Sequence, residues 1–347
     1  MSANKTKVNK KLPKPARYFP YSQLGSKPNI IVDGSPQKAT QLTLSHWPWS
    51  PTSKTLLRDT STETVFAYID SPDEHKEIDL VSNSHFDEDG VLSMYALLDP
   101  KNALFYRDLM IGASRAGDFG IYTDLEAAKL SFVMAAFADP ELSPFPSEVF
   151  SGSDAKQVEG LYCNMLDVLP KLLDSYKNYS EFWQPELTHL KDSEQEIRLG
   201  NVLIDEIPDL DLAIISIPED IPVRIIRRYL RRWQRSIHPF AVHNITQCSR
   251  LILIKGNSLE FQYRYESWVK LVSRRPLLRI DLTNLAEKLS EIETRGGKWV
   301  FEGVNDVAPR LHIIGSCKSS IPAEKFISFV AEDLVRLPVA WDPYNKT

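Results

Sequence analysis

The sequence predicts an α/β protein with a parallel sheet in its first half and a smaller α+β domain in its second half. Three short apolar segments of the first half, residues 29–32, 41–45 and 78–82, each end in polar or turn-forming residues, as buried strands do. Helical patterns follow the second and third segments, and strands that alternate with helices are typical of a parallel sheet. At roughly 150 residues per domain, 347 residues suffice for about two domains.

The remaining elements follow from the same patterns. Asp220 and Pro222 predict the N-terminus of a helix over residues 223–236. The residues at 256–258 predict a hairpin between two apolar runs. The other predicted helices cover 53–69, 91–98, 104–116, 124–138, 156–173, 281–293 and 323–337, and the other predicted strands cover 211–217, 299–302 and 311–314.

Three segments are expected along the chain. Residues 1–28 carry seven Lys and Arg residues and no acid, which predicts a disordered basic tail, with a transit peptide as the alternative. Residues 29–190 form the predicted parallel domain. A polar stretch at 191–201 marks the expected boundary, and residues 195–340 form a predicted α+β domain that binds a substrate or a partner.

The composition is typical of a soluble globular protein. Hydrophobic residues make up 43% and charged residues 25% of the chain, which excludes a wholly disordered or fibrous protein. The apolar stretches are shorter than the roughly 20 residues of a membrane helix, so we expect no membrane association. Three widely spaced cysteines favour the reducing cytoplasm over a disulfide framework. A net charge of -5 argues against general coating of nucleic acid.

The most informative segment is the polar turn after the third strand. His85, Asp87 and Asp89 are spaced two apart, and Gly90 permits a tight backbone path, so one imidazole and two carboxylates can converge on a cation. An EF-hand is excluded, because its twelfth position would be Ala96 instead of Glu. The alternative is a solvated acidic turn in which Asp89 is the N-cap of the following helix.

This turn resembles the first motif of the DHH phosphoesterases, in which a strand ends in His-x-Asp-x-Asp-Gly before an apolar helix. Segments 42–48, 82–90, 116–120 and 263–269 also resemble those of an uncharacterised bacterial family within or near that superfamily. The resemblance implies a DHH-phosphoesterase-like N-terminal domain that holds two Mn2+ or Mg2+ ions, a smaller C-terminal substrate domain and a cleft between them. It also implies that His85, Asp87 and Asp89 are the metal ligands and the catalytic centre.

Two motifs of that superfamily have no counterpart in this chain. No two histidines are adjacent, so the Asp-His-His motif is missing, and Gly296-Gly297 is followed by Lys298 instead of His. Asp118 and His46 are the best candidates for the missing ligands. An isolated Asp beside Gly is also a common turn former, which is the alternative for Asp118.

Arginines provide the candidate phosphate-binding groups. Six of them lie at helical spacing in the predicted helix over 223–236 and could bind phosphates, although the acids at 205–220 could equally neutralise them. The segment 273–282 loosely resembles the Arg-bearing substrate loop of the DHH-associated domain, and an exposed loop is its alternative. The candidate substrate-binding residues are Arg228, His243, Arg274, Arg275 and Arg279.

The sequence therefore predicts a divalent-metal-dependent phosphoesterase that acts on a phosphodiester or nucleotide-type substrate, with Mn2+ or Mg2+ as cofactor. We expect a phosphorylated small molecule or a short nucleic acid as its partner, and a homodimer is an open alternative. The sequence has no P-loop, GxGxxG, HExxH or GxSxG motif, so kinases, dehydrogenases, zincins and serine hydrolases have no support. The alternative function is that of a degenerate relative that binds a nucleotide or a protein without turnover.

Overall fold

The computed structural model describes residues 11–228, 231–316 and 318–346. Its first sheet contains β1 (Arg17–Tyr18), β2 (Asn29–Val32), β3 (Thr40–Leu44) and β4 (Leu80–Ser82). The strand order is β1-β4-β2-β3, and each neighbouring pair is parallel. The predicted parallel sheet with its three predicted strands is therefore confirmed.

The first half of the chain also contains α-helices, most of which follow β4. They are α1 (Ser61–Ile69), α2 (Glu88–Leu98), α3 (Pro100–Ala103), α4 (Arg107–Phe119), α5 (Leu125–Phe137), α6 (Asp154–Ser175) and α7 (Ser180–Arg198). Helix α1 begins eight residues later than the start predicted at residue 53. The reason is a capping box: Thr60 Oγ1 accepts a hydrogen bond from the Glu63 amide, and the Glu63 carboxylate accepts one from the Thr60 amide.

Part of the predicted disordered tail is ordered. Strand β1 lies within residues 1–28 and pairs with β4, with the Arg17 amide donating to the Asp79 carbonyl at 2.8 Å. The Phe19 amide donates to the Val81 carbonyl at 3.0 Å. Backbone pairing therefore attaches residues 17–19 to the sheet in spite of their basic surroundings, and residues 1–10 lie outside the described part of the chain.

The second half is built around a mixed sheet, as predicted. Its strands are β5 (Leu203–Ile207), β6 (Leu212–Ile217), β7 (Arg224–Arg228), β8 (Arg231–Arg235), β9 (Arg250–Lys255), β10 (Ser258–Tyr263), β11 (Arg279–Ile280), β12 (Lys298–Phe301), β13 (Arg310–Ile314) and β14 (Val339–Trp341). Six of them form the order β12-β13-β10-β9-β6-β5, in which β6 and β9 are parallel and the other pairs are antiparallel. The helices are α8 (Pro239–His243), α9 (Thr283–Ile292) and α10 (Ala323–Arg336). Among the described residues, no helix is long and apolar enough to cross a membrane.

The helix predicted over residues 223–236 is wrong. Strands β7 and β8 form an antiparallel hairpin there, which we call the arginine hairpin (residues 224–235). Ile226 pairs with Trp233 across it, and β-branched and aromatic residues of this kind favour strands over helices. The two residues at its tip, 229 and 230, lie outside the described part of the chain.

The two halves share a hydrophobic core. One buried cluster joins Ala128 and Phe132 of α5 and Leu190 of α7 to Ile215 and Leu251 of the second sheet. Helix α7 continues to Arg198 through most of the polar stretch that was predicted to be a boundary. The second sheet therefore packs directly against the helices of the first half, and a cavity lies between the two halves.

Candidate metal centre

The candidate centre lies where three parallel strands end. Asp33 follows β2, His46 lies two residues after β3, and His85 and Asp87 lie in the turn after β4. The carboxyl ends of parallel strands meet at one edge of the sheet, where ligands usually bind. We call the resulting group of buried and, at His85, half-buried side chains the acidic cluster. It contains Asp33, His46, His85, Asp87, Asp89 and Asp118.

Three carboxylates of the acidic cluster lie around the His46 ring. His46 Nε2 lies 3.3 Å from Asp33 Oδ1, 3.8 Å from Asp89 Oδ2 and 3.5 Å from Asp118 Oδ2. His46 Nδ1 lies 2.5 Å from the Asp59 carbonyl, so it carries a proton and donates it. Asp33 favours a proton on Nε2 as well, and loss of that proton would leave the Nε2 lone pair facing the carboxylates, which is the arrangement of a metal-ligating histidine.

Two carboxylates of the acidic cluster lie next to the His85 ring. His85 Nε2 lies 3.1 Å from Asp33 Oδ2 and 2.8 Å from Asp87 Oδ2. Asp33 thus presents one carboxylate oxygen to His46 and the other to His85. Two groups of donors could each hold a metal ion, Asp33 with His46 and Asp89, and Asp33 with His85 and Asp87. Asp33 is shared by both, so its carboxylate could bridge two cations.

Local structure fixes two of the carboxylates. Asp89 accepts hydrogen bonds from the Ser61 and Thr62 amides, at 2.6 and 2.7 Å, at the N-terminus of α1. The N-cap of α2 is Asp87 and not Asp89, because the Asp87 side chain accepts from the Gly90 amide at 2.7 Å. The turn therefore carries an acidic N-cap, as the alternative interpretation expected, but the capping side chain is buried in the cluster instead of exposed to solvent.

At two positions of this site, the backbone conformation or the surrounding atoms restrict which residue can fit. Asp33 has a left-handed conformation with φ 44, which non-glycine residues rarely adopt and which is enriched at functional sites. Gly90 has no space for a side chain, because a Cβ would lie 2.5 Å from Asn83 Nδ2 and 2.6 Å from the Tyr162 hydroxyl. Both features bring carboxylates close together at the edge of the sheet.

The carboxylates of the cluster have shifted pKa values. Burial opposes ionisation of Asp33, but the hydrogen bonds of His46 and His85 outweigh it and hold the pKa of Asp33 well below its ordinary value. Burial and the charge of Asp33 raise the pKa of Asp89 to about 7. Burial and the neighbouring carboxylates raise the pKa of Asp118 well above its ordinary value.

The histidines respond in the opposite direction. Burial alone would lower the pKa of His85, but Asp87 and Asp33 outweigh burial and raise it to about 10. Burial likewise opposes protonation of His46, whose pKa is nevertheless raised by Asp33 and Asp89. Four carboxylates thus lie around two imidazoles, and repulsion among them is limited by the raised pKa values of Asp89 and Asp118, which favour the neutral carboxyl forms. A bound cation would relieve this repulsion, so the cluster could hold a metal ion.

The acidic cluster opens into a cavity of about 610 Å3 between the two halves. His85, Asp87 and Asp118 form one end of its lining. Tyr265, from the second half, places its hydroxyl 3.3 Å from His46 Nε2. Trp47 packs on the His85 ring with the ring centroids 4.8 Å apart. The second half therefore completes the surroundings of ligands that come from the first half.

The predicted substrate residues are divided between the cavity and the surrounding structure. Arg228 and His243 line the cavity, with Arg228 bound to Glu186 at 2.6 Å and His243 Nδ1 2.8 Å from the Phe119 carbonyl. Arg279 is fully buried outside the lining and donates to the Val304, Asp306 and Val307 carbonyls. Arg274 pairs with Glu266, and Arg275 stacks on Tyr344. The lining does not include Arg274, Arg275 or Arg279, because backbone carbonyls, a carboxylate and a ring hold them elsewhere.

Sequence reasoning identified five of the six cluster residues and missed Asp33. Its signal was present, because Asp33 directly follows a fully buried strand, but the Asp-Gly pair was interpreted only as a turn. Tyr265, Arg264 and Glu266 also line the cavity and were not predicted. Their positions depend on long-range packing, which leaves no local pattern.

Fold and site together define the class of protein: a mixed α/β protein with a buried Asp/His cluster that could hold metal ions. A family model described as a family of unknown function, DUF6687, matches residues 14–345, and the chain belongs to this family. This result confirms the expectation of an uncharacterised family. No curated protein and no solved structure matches the chain.

Proposed function

We propose that the protein is a divalent-metal-dependent phosphoesterase with a two-cation centre. The observation that carries the proposal is the pair of donor groups that share Asp33, at the end of a large cavity. Two metal ions held about 3.5–4 Å apart by bridging ligands are characteristic of phosphatases and nucleases. The resemblance of residues 82–90 to the first motif of the DHH phosphoesterases supports the same chemistry.

The residues of this chain have distinct roles in the proposal. Asp33, His46 and Asp89 would hold one cation, and Asp33, His85 and Asp87 the other, with Asp118 as a further carboxylate beside His46. Bound divalent cations supply a water of lowered pKa and positive charge for the phosphoryl group. Mn2+ suits the donors of the cluster somewhat better than Mg2+, because they combine imidazole nitrogens with carboxylate oxygens.

Tyr265 and Trp47 would act on the substrate side. Burial and the nearby carboxylates keep the pKa of Tyr265 well above its ordinary value, so its hydroxyl stays protonated and can donate a hydrogen bond. At 3.3 Å from His46 Nε2, it lies within reach of an oxygen bound beside that ring. Trp47 covers the His85 ring and would limit the access of bulk water to the cluster.

The test compares wild type with Asp87→Asn and Asp99→Asn. Asp87 caps α2 and belongs to the cluster, whereas Asp99 caps α3 at the far end of α2 and is exposed. Asn is as good an N-cap as Asp, so both substitutions preserve the helices. We expect Mn2+ to raise the melting temperature of wild type and Asp99→Asn but not of Asp87→Asn, by mass action. Hydrolysis of p-nitrophenyl phosphate and its bis ester should follow the same pattern.

Two outcomes oppose the proposal in different ways. Wild-type melting curves that are identical with and without Mn2+ would refute the metal centre. An Mn2+-dependent shift without turnover of either ester would instead support the alternative function, a relative that binds a phosphorylated ligand without hydrolysis.

A further inference from the structure

The far wall of the cavity is apolar. Ile215 and Ile217 of β6 and Leu251 and Leu253 of β9 point to the same face of the second sheet, because side chains alternate along a strand and Ile215 pairs with Leu253. Ile226 of the arginine hairpin extends this wall. A substrate that binds at the acidic cluster and extends into the cavity would therefore meet hydrocarbon side chains.

The size of the cavity is that of a ligand pocket. A cavity of about 610 Å3 lies in the range of pockets that enclose an organic ligand. Branched aliphatic side chains offer water no hydrogen bonds, so water gains little by filling this wall.

The arginines of the lining are already paired. Arg228 binds Glu186 at 2.6 Å, and Arg235 binds Glu260 at 2.9 Å. Arg264 forms an ion pair with Glu266. A nucleic acid chain requires several basic groups that are free to neutralise its phosphates. Among the side chains that the structure describes, the lining offers no such row, which disfavours oligonucleotides and cyclic dinucleotides.

We infer that the preferred substrate is an organic phosphate ester with one phosphoryl group and a large apolar alkyl or aryl group. The inference rests on the proposed function and specifies its substrate class. The phosphoryl group would lie at the acidic cluster, and the apolar group would lie against β6, β9 and Ile226. Water supplies the oxygen that bonds to phosphorus, the ester P–O bond breaks, and the leaving oxygen takes a proton from that water. The products are inorganic phosphate and an apolar alcohol.

The first experiment measures kcat/KM of the Mn2+-loaded protein for methyl, butyl, octyl and 1-naphthyl phosphate. Each methylene that leaves water contributes up to about fourfold. We expect octyl phosphate to exceed methyl phosphate by at least about 100-fold. The ratio of octyl to naphthyl phosphate distinguishes an alkyl from an aryl substrate. Hydrolysis with equal kcat/KM across the series would overturn the inference and leave the proposed function intact.

A matched pair of variants tests the wall itself. Ile226 is 1% exposed and lines the cavity, whereas its neighbour Ile225 is 49% exposed on the other face of β7. We expect Ile226→Phe to lower kcat/KM for octyl phosphate at least about tenfold, because the larger ring fills space that the chain needs. The loss for methyl phosphate, which has no chain to lie against Ile226, should be much smaller, and Ile225→Phe should change neither value. Leu253→Phe is the second test variant if Ile226→Phe does not fold.

A binding measurement separates this inference from the proposed function. If none of the esters is hydrolysed, the phosphoesterase proposal fails, and calorimetry in Mn2+ compares the binding of octyl and methyl phosphate. Tighter binding of octyl phosphate, lost in Ile226→Phe and kept in Ile225→Phe, would support an apolar ligand site. Equal affinities would overturn it.

Discussion

The acidic cluster and the arginine hairpin are both rich in charge, but they neutralise it differently. In the hairpin, Arg224 pairs with Asp192, Arg227 with Asp139, Arg228 with Glu186 and Arg235 with Glu260. In the cluster, four carboxylates share two imidazoles, and the Asp118 Oδ2 atom has no hydrogen-bond partner among the described residues. A charged motif thus indicates a binding site when the fold gathers like-charged side chains that outnumber their partners of opposite charge.

This comparison changes the interpretation of the two sequence motifs. The arginines were expected either to bind phosphates or to be neutralised by acids at 205–220. For the four hairpin arginines whose side chains the structure describes, it supports neutralisation, but the acids come from α7, from residue 139 and from β10. The hairpin therefore contributes to stability and to the cavity wall, and the cluster is the better candidate for chemistry.

The largest expected effect is that of Asp33→Asn, which removes the charge shared by both donor groups. We expect the Mn2+ content after equilibrium dialysis to fall from two ions per chain to none. The stabilisation by Mn2+, about 4 kcal/mol at a concentration 1,000 times the Kd, should disappear with it. Asp211→Asn is the matched control, because Asp211 also has a left-handed backbone, with φ 50, but lies outside the cluster. Retention of both ions in Asp33→Asn would refute the bridging role.

The second prediction tests whether the hairpin arginines are structural. Glu186→Gln leaves Arg228 and His238 without their buried carboxylate, which lies 2.6 Å and 3.1 Å from them. We expect the free energy of unfolding in urea to fall by about 3 kcal/mol, since removing one partner of a buried ion pair leaves an uncompensated charge. The Mn2+ content should not change. Loss of Mn2+ binding in this variant would contradict the separation of the two regions.

How much of the molecule was predictable depends on how local each signal is. His85, Asp87 and Asp89 lie within five residues of one another, so their convergence follows from the sequence alone. Three of the four described parallel strands were also found, because each is a short apolar segment with a polar end, whereas β1 lies in the predicted tail. The hairpin was missed because Asp220 and Pro222 resemble a helix start, whereas the cross-strand pairing that decides the structure is not local.

The cavity could not be predicted for a similar reason. Its lining combines Trp47 and Asp118 of the first half with Ile215, Leu253 and Tyr265 of the second. No segment of the sequence contains more than a small part of this set. The proximity of Tyr265 to His46, 219 residues earlier, results only from the packing of the two halves.

The third prediction concerns the response of the paired region to acid. His238 is buried against Glu186 and Arg228, and burial lowers its pKa to about 4. The unfolded chain, with a histidine pKa of about 6.5, binds more protons between pH 4 and 6.5, so stability falls as the pH decreases through this range. From pH 7 to pH 5, His238 should remove about 2 kcal/mol of stability.

The measurement is the difference between wild type and His238→Asn in urea titrations at pH 7 and pH 5. Asn can cap α8 in place of His238, whose Nδ1 accepts from the Phe240 amide. Histidines 189 and 243, whose pKa values are also lowered by burial, are present in both proteins, so their contributions cancel in the comparison. An equal loss of stability in both proteins would show that His238 is not the titrating group.

The smallest expected effect is that of Arg224→Gln at the exposed end of the hairpin. Arg224 donates to Asp192 at 2.7 Å, but both side chains are largely solvent-exposed, at 39% and 49%. Water and salt screen such a pair, so we expect less than about 1 kcal/mol of destabilisation in urea, and less still at 1 M salt. Mn2+ content and turnover should be those of wild type. If Arg224→Gln destabilised the protein as strongly as Glu186→Gln, burial would not be what distinguishes these ion pairs, and the hairpin would have to be treated as one cooperative charge network.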